Sequence, residues 1–120
     1  MTGKQPKPTR SAYGARGEDK ATEHLQSAGY EILARNYRHD RAEIDIVARD
    51  GETIVFVEVK ARRSDKFGRP EEAVGDAKRG QIRKAAQGFL IQGGLEDAPC
   101  RFDVLAIFNG DINHIRDAFW

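Results

Sequence analysis

Cysteine is almost missing from this 120-residue chain. Cys100 stands alone, so no intrachain disulfide forms and no thiolate zinc cluster can be built. A reducing cytoplasm is therefore the expected location. Long apolar runs are also lacking. Runs such as Ile54 to Val57 and Val104 to Phe108 fall far short of the roughly 20 residues a membrane span needs, so no membrane partner is expected. Acidic residues are absent before Glu18, where Lys4, Lys7, Arg10 and Arg16 stand. No apolar stretch comes after those first lysines, so no secretory signal is expected. A large net charge is missing too: 20 basic against 19 acidic residues leave +1, which alone points to no polyanionic partner. What the chain does have is 39% hydrophobic and 32% charged residues, the balance of a soluble globule. Its length suits one domain.

Residues 1–14 hold two prolines and two glycines among basic residues and read as a flexible basic arm, with a single domain over 15–120. Helical spacing runs from Arg16 to Ala28 and stops at Gly29. Strand patterns continue over Tyr30–Tyr37, Glu43–Arg49 and Thr53–Lys60. Ile44, Ile46 and Ala48 share one face of the second strand on strict alternation. Asp50-Gly51 predicts a hairpin turn between the second and third strands. A polar basic loop covers 61–70. Asp76 caps a helix from Ala77 to Gln92, ended by Gly93-Gly94. Strands over Arg101–Phe108 and Ile112–Arg116 flank the Asn109-Gly110 turn. The order helix, three strands, helix, two strands predicts an α/β fold with a mixed central sheet flanked by helices.

Strand alternation concentrates chemistry at the central hairpin. Glu43, Asp45 and Val47 point one way, and Ile54, Phe56, Glu58 and Lys60 share a face of the next strand. A two-residue Asp50-Gly51 loop sets Asp45 opposite Phe56 and Glu43 opposite Glu58, so three carboxylates crowd one patch with Lys60 at its edge. Val55 and Val57 line the other face of this strand, which is apolar on both sides and thus central. Like charges facing one another destabilise a sheet, and buried unpaired charge costs more. One lysine cannot balance three carboxylates. A divalent cation would, and hard oxygen ligands select Mg²⁺ or Mn²⁺ over zinc. Glu18 recurs with Ala21, Thr22 and Leu25 at helical spacing, so it sits beside the stripe facing the sheet. A first-turn acid favoured by the helix dipole is the plainer account of Glu18, and a strand-end salt bridge that of Asp45 and Glu58.

Two basic segments flank these acids: Lys60, Arg62, Arg63, Lys66 and Arg69, then Lys78, Arg79, Arg83 and Lys84. Each alone reads as a solvated surface. Beside an acid cluster they suit a phosphate backbone, held without reading sequence. His24, His39 and His114 have no metal-site spacing, and Asp103 suits a pair with Arg101 on its own strand face.

Glu43-Ile-Asp45 followed by Phe56-Val-Glu58-Val-Lys60 resembles the PD-(D/E)XK nuclease core. More closely, the chain is similar to the YraN-like family of uncharacterised bacterial proteins. The matching stretches include Gly17-Glu18, Gly29-Tyr30-Glu31-Ile32-Leu33, Phe67-Gly68, Lys78 and Arg101-Phe-Asp103-Val. Ala42 and Ala85 depart from related patterns, which have glycine and tyrosine there. The resemblance implies a restriction-endonuclease-like fold with a homodimer as one option. It implies Asp45, Glu58 and the Val59 carbonyl on the metal, Glu18 completing the shell, and Lys60 orienting or activating water. The catalytic set is then Glu18, Asp45, Glu58 and Lys60. Arg62, Arg63, Lys66, Arg69, Lys78, Arg79 and Arg83 would hold nucleic acid, DNA ahead of RNA. The expected activity is metal-dependent, structure-selective endonucleolytic hydrolysis of phosphodiester bonds. The alternative is a non-catalytic nucleic-acid-binding or adaptor protein on the same fold.

Overall fold

The structure, a computed structural model, describes residues 12–62 and 76–119. The expected loop residues Arg63, Lys66 and Arg69 lie outside these, as do residues 1–11 of the expected arm. Helix α1 (Ala12–Ser27) is followed by strands β1 (Glu31–His39), β2 (Ala42–Asp50) and β3 (Thr53–Arg62). Helix α2 (Asp76–Gln92) and strands β4 (Cys100–Phe108) and β5 (Asp111–Phe119) complete the chain. α1 begins at Ala12 rather than Arg16, so its first turn takes in part of the stretch expected to be an arm.

The five strands form one mixed sheet in the order β1-β2-β3-β4-β5. Only β3 and β4 are parallel, and that pair needs the crossover that α2 supplies. The helices lie on opposite faces. Ala21 and Leu25 of α1 pack with Val55, Val57, Leu105 and Ile107. Ile82, Ala85, Ala86 and Leu90 of α2 pack with Ile54, Phe56, Phe102 and Phe119. Ile54 to Val57 are at most 1% exposed, as a central strand covered on both sides requires. This arrangement is consistent with a restriction-endonuclease-like fold. No helix among the described residues is long and apolar enough to cross a membrane.

Both helices stop by the same device. Gly29 (φ 93) ends α1, with the Tyr30 N–H donating to the Leu25 carbonyl at 2.9 Å. Gly94 (φ 68) ends α2, with the Leu95 N–H donating to the Leu90 carbonyl at 2.8 Å. Each is a glycine in the left-handed region closing the last turn, sealed by the apolar pair across it.

The hairpin register differs from expectation. Asn109 and Gly110 both take positive φ (51 and 88), a type I′ turn as the sequence suggests. Gly51 (φ 63) instead stands first in its turn, followed by Glu52, while Asp50 pairs with Thr53. One positive φ at the first central position is the type II′ pattern. The turn centre therefore moves one residue along, and every partner moves by two. Val47, not Asp45, faces Phe56. A two-residue change keeps every side chain of the paired stretch on its face, and Asp45 and Glu58, just beyond its last pair, line one cleft.

The strict alternation expected of β2 also fails at one point. Ile46 and Ala48 join the α1-side core, but Ile44 joins the α2-side core. The break falls at Asp45, across from Asn36, which takes φ 55 between the Arg35↔Ile46 and Tyr37↔Ile44 pairs. A left-handed residue inside a strand re-aims the side chains beyond it, and asparagine tolerates that conformation.

Candidate functional site

The ladder between β2 and β3 runs from Asp50↔Thr53 to Ile46↔Val57. Beyond it, Asp45 turns its carboxylate to the neighbouring strand, and Oδ2 accepts the Val59 N–H at 2.8 Å. Asp45, Glu58, Glu43, Lys78 and Gln81 line one open cleft of about 490 Å³ between the sheet and the start of α2. Glu58 is 7% exposed. Its Oε2 meets two ammonium groups, Lys78 Nζ at 2.6 Å and Lys60 Nζ at 3.2 Å.

The two lysines respond in opposite directions. Burial lowers the Lys60 pKa; Glu58 works against that and Lys78 adds to it, leaving Lys60 below the ordinary lysine value. Burial also works against charge on Lys78, but the hydrogen bond and charge of Glu58, with Asp45 adding, hold its pKa above the ordinary value. Lys60 is thus the more readily deprotonated amine, and Lys78 the settled cation.

The crowded carboxylates find counter-charge within the chain. Asp45 and Glu58 face Lys60 and Lys78, and Glu43 pairs with Arg38 at 3.5 Å. Among the described residues, no group of three or more His, Cys, Asp and Glu side chains is arranged to hold a metal ion. Asp45 and Glu58 line the cleft together with Glu43, which pairs with Arg38, and both ammonium groups sit on one oxygen of Glu58, where cationic charge is already accommodated. That donor set fits one hard divalent ion held by two carboxylates and otherwise by water, a usual arrangement for Mg²⁺.

Glu18 is 2% exposed but does not line this cleft. Its Oε1 accepts from Arg35 at 2.9 Å and from Asn36 at 3.0 Å, which ties α1 to the irregular point of β1. Val59 meets Asp45 through its N–H. Ala42 is buried and pairs with His39, and the left-handed residue of that turn is Asp40 (φ 53). Alanine is therefore accommodated at position 42.

The basic residues disperse. Lys78 enters the cleft. The Arg79 guanidinium stacks 5.4 Å over the Phe119 ring, and Arg83 lines a separate hollow beside Cys100 and Phe102. Arg62 closes β3. Missed in the sequence were Arg41, at the β1–β2 turn, and the joint placement of Lys78, Gln81 and Lys84. The three-residue spacing along α2 is the signal that would have found the latter.

An α/β sheet with an acid-and-lysine cleft at the end of its central strand defines the class. The sequence profile of the uncharacterised protein family UPF0102 matches residues 17–107. The chain is 45% identical over 106 residues to a UPF0102 protein of Persephonella marina, covering 88% of this chain and 91% of that one. It is 49% identical over 111 residues to one from Geotalea uraniireducens, covering 88% and 87%. With one from Chlorobium chlorochromatii it shares 47% over 117 residues, covering 89% and 90%. The chain belongs to UPF0102, the YraN-like family whose resemblance its motifs carry.

Proposed function

We propose that this protein is a PD-(D/E)XK-type, Mg²⁺- or Mn²⁺-dependent endonuclease acting on DNA, selective for structure rather than sequence. The observation that carries the reading is the convergence of Asp45, Glu58 and Lys78 on one open cleft toward the end of β3, with Lys60 held against Glu58. Asp45 and Glu58 would hold the metal, which when bound polarises a phosphodiester and lowers the pKa of its water. Asp45 is fixed by the Val59 N–H. Lys60 Nζ, fixed against Glu58 and more readily deprotonated than an ordinary lysine, orients water and moves a proton at that nitrogen. Lys78 keeps its charge and faces the phosphate oxygens as a point cation.

The test is incubation of branched, single-stranded and duplex DNA with Mn²⁺, for wild type and the Asp45→Ala and Lys60→Ala variants. Cleavage is expected for wild type, with a loss of about 10²–10⁴-fold in Lys60→Ala. Cleavage that survives Asp45→Ala overturns the assignment. A non-catalytic nucleic-acid-binding protein is the second reading, favoured by the internal charge balance of the cleft. Binding of branched DNA without any cleavage would establish it.

A further inference from the structure

We propose that the hollow beside the carboxylate cleft, lined by His39, Arg41 and Lys84, is a subsite for a second phosphate of a polynucleotide strand. This rests on the reading that the cleft itself takes a phosphodiester. The hollow, about 350 Å³, shares Arg41, Ala42 and Gln81 with the cleft, so the two form one continuous groove.

Its charges are uncommitted. Arg35, Arg38, Lys60, Lys78 and Arg101 each have a carboxylate within 3.5 Å. Arg41 and Lys84 make no ion pair or hydrogen bond among the described residues. Both line this one hollow. Its sole carboxylate, Asp40, lies 3.7 Å from the His39 imidazole. A guanidinium and an ammonium facing open space suit a phosphate.

The helix is shaped for the third wall. A Cβ at Gly88 would stand 2.8 Å from His39 Nδ1 and 2.9 Å from Cε1. α2 thus carries glycine in its interior, at about 1 kcal/mol of helix propensity, where the imidazole is seated. Lys78, Gln81 and Lys84 step along α2 by threes, from the cleft to the hollow. Six residues of helix rise about 9 Å, enough to separate two phosphates of one strand. Among the described residues the one ring lining the hollow is the His39 imidazole, and it packs against α2 at Gly88. The contact is to the backbone and does not read sequence.

The test measures fluorescence anisotropy of a fluorescein-labelled single-stranded DNA 12-mer in EDTA, from 50 to 200 mM NaCl. Arg41→Ala/Lys84→Ala is compared with wild type and with Lys20→Ala/Arg116→Ala, which removes equal charge elsewhere. The subsite predicts about tenfold weaker binding and a log–log salt slope shallower by about 1.4 in the first variant only. Wild-type binding with an unchanged slope in that variant overturns the subsite and leaves the phosphodiester reading standing. No wild-type binding to this DNA or to branched DNA overturns both. Polyglutamate of the same length binding as tightly as DNA overturns the phosphate assignment.

Discussion

Asp103→Ala is expected to cost about 3 kcal/mol, because its carboxylate ties three separate groups together. Asp103 is 0% exposed. It accepts from Arg101 Nε at 3.0 Å and from the Asp117 N–H at 2.9 Å, and it bonds His114 Nε2 at 2.8 Å. Removing one partner of a buried pair costs about 3–5 kcal/mol. The lower end applies because Arg101 keeps Asp50 at 3.3 Å and the Tyr30 hydroxyl at 2.6 Å. With an unfolding entropy of about 250 cal/mol/K for a chain of this length, the loss lowers Tm by about 12 °C. Urea unfolding followed by circular dichroism at pH 7 measures the first number, and calorimetry the second. A loss below about 1 kcal/mol would refute the reasoning, because surface pairs already reach that value. The pH dependence gives a second check. Burial pushes the Asp103 carboxyl up, but His114, the Asp117 N–H and Arg101 outweigh it and hold the pKa below the ordinary 3.8. A depressed carboxyl stabilises the fold above its unfolded pKa and loses that contribution as pH falls through the folded one. The gap between wild type and Asp103→Asn should therefore be full at pH 7 and shrink below about pH 3.8. A gap that stays constant to pH 2 contradicts the assignment.

The packing and the cleft give two further expected outcomes. Phe102 is 1% exposed and stacks on Phe56 at 5.3 Å and Phe119 at 5.2 Å, so Phe102→Ala should cost about 3–5 kcal/mol in chemical denaturation. A loss under about 1.5 kcal/mol would mean this aromatic row is not a rigid part of the core. Lys78→Met removes the ammonium that shares Glu58 with Lys60, so the Lys60 pKa should rise. Side-chain NMR titration reads it directly, and an unmoved or lower value contradicts the pairing.

Most of the architecture was legible because its signals are local. The β-branched run of β3, the apolar stripe of α2 and the glycines that close both helices each act within a few residues. The Gly51 turn was misplaced for a local reason too. Asp-Gly and Gly-Glu are both good two-residue turns, and only the φ of Gly51 chooses between them. The site was legible in part. Asp45, Glu58 and Lys60 come from one hairpin, whose face survives a shift of two. Lys78 reaches Glu58 from a different element, 20 residues on, and no periodicity announces that pair. The run Lys78, Arg79, Arg83, Lys84 reads as one cluster along the chain. A helix turns about 100° per residue, so its members reach the cleft, the Phe119 ring and two hollows. Asn36 hides the change of face in β2 because its left-handed φ comes with a tertiary bond to Glu18 that no local pattern shows.

Crowded charge in the cleft points to a cation, and the chain's own ammonium groups share that place. Crowded carboxylates alone would demand a counter-ion. Here Lys60 and Lys78 meet the same oxygen of Glu58, so the chain itself supplies counter-charge there. Lys60 is 12% exposed with its pKa lowered, while Lys78 is 41% exposed with its pKa raised. Two amines on one carboxylate repel each other, and sealing the less stable one inside adds a desolvation cost that packing alone would avoid. Leucine or methionine at position 60 would fill that place without it. The inward amine is the part of this arrangement that stability does not explain. The lowered pKa of Lys60 is the property that the proposed function would use.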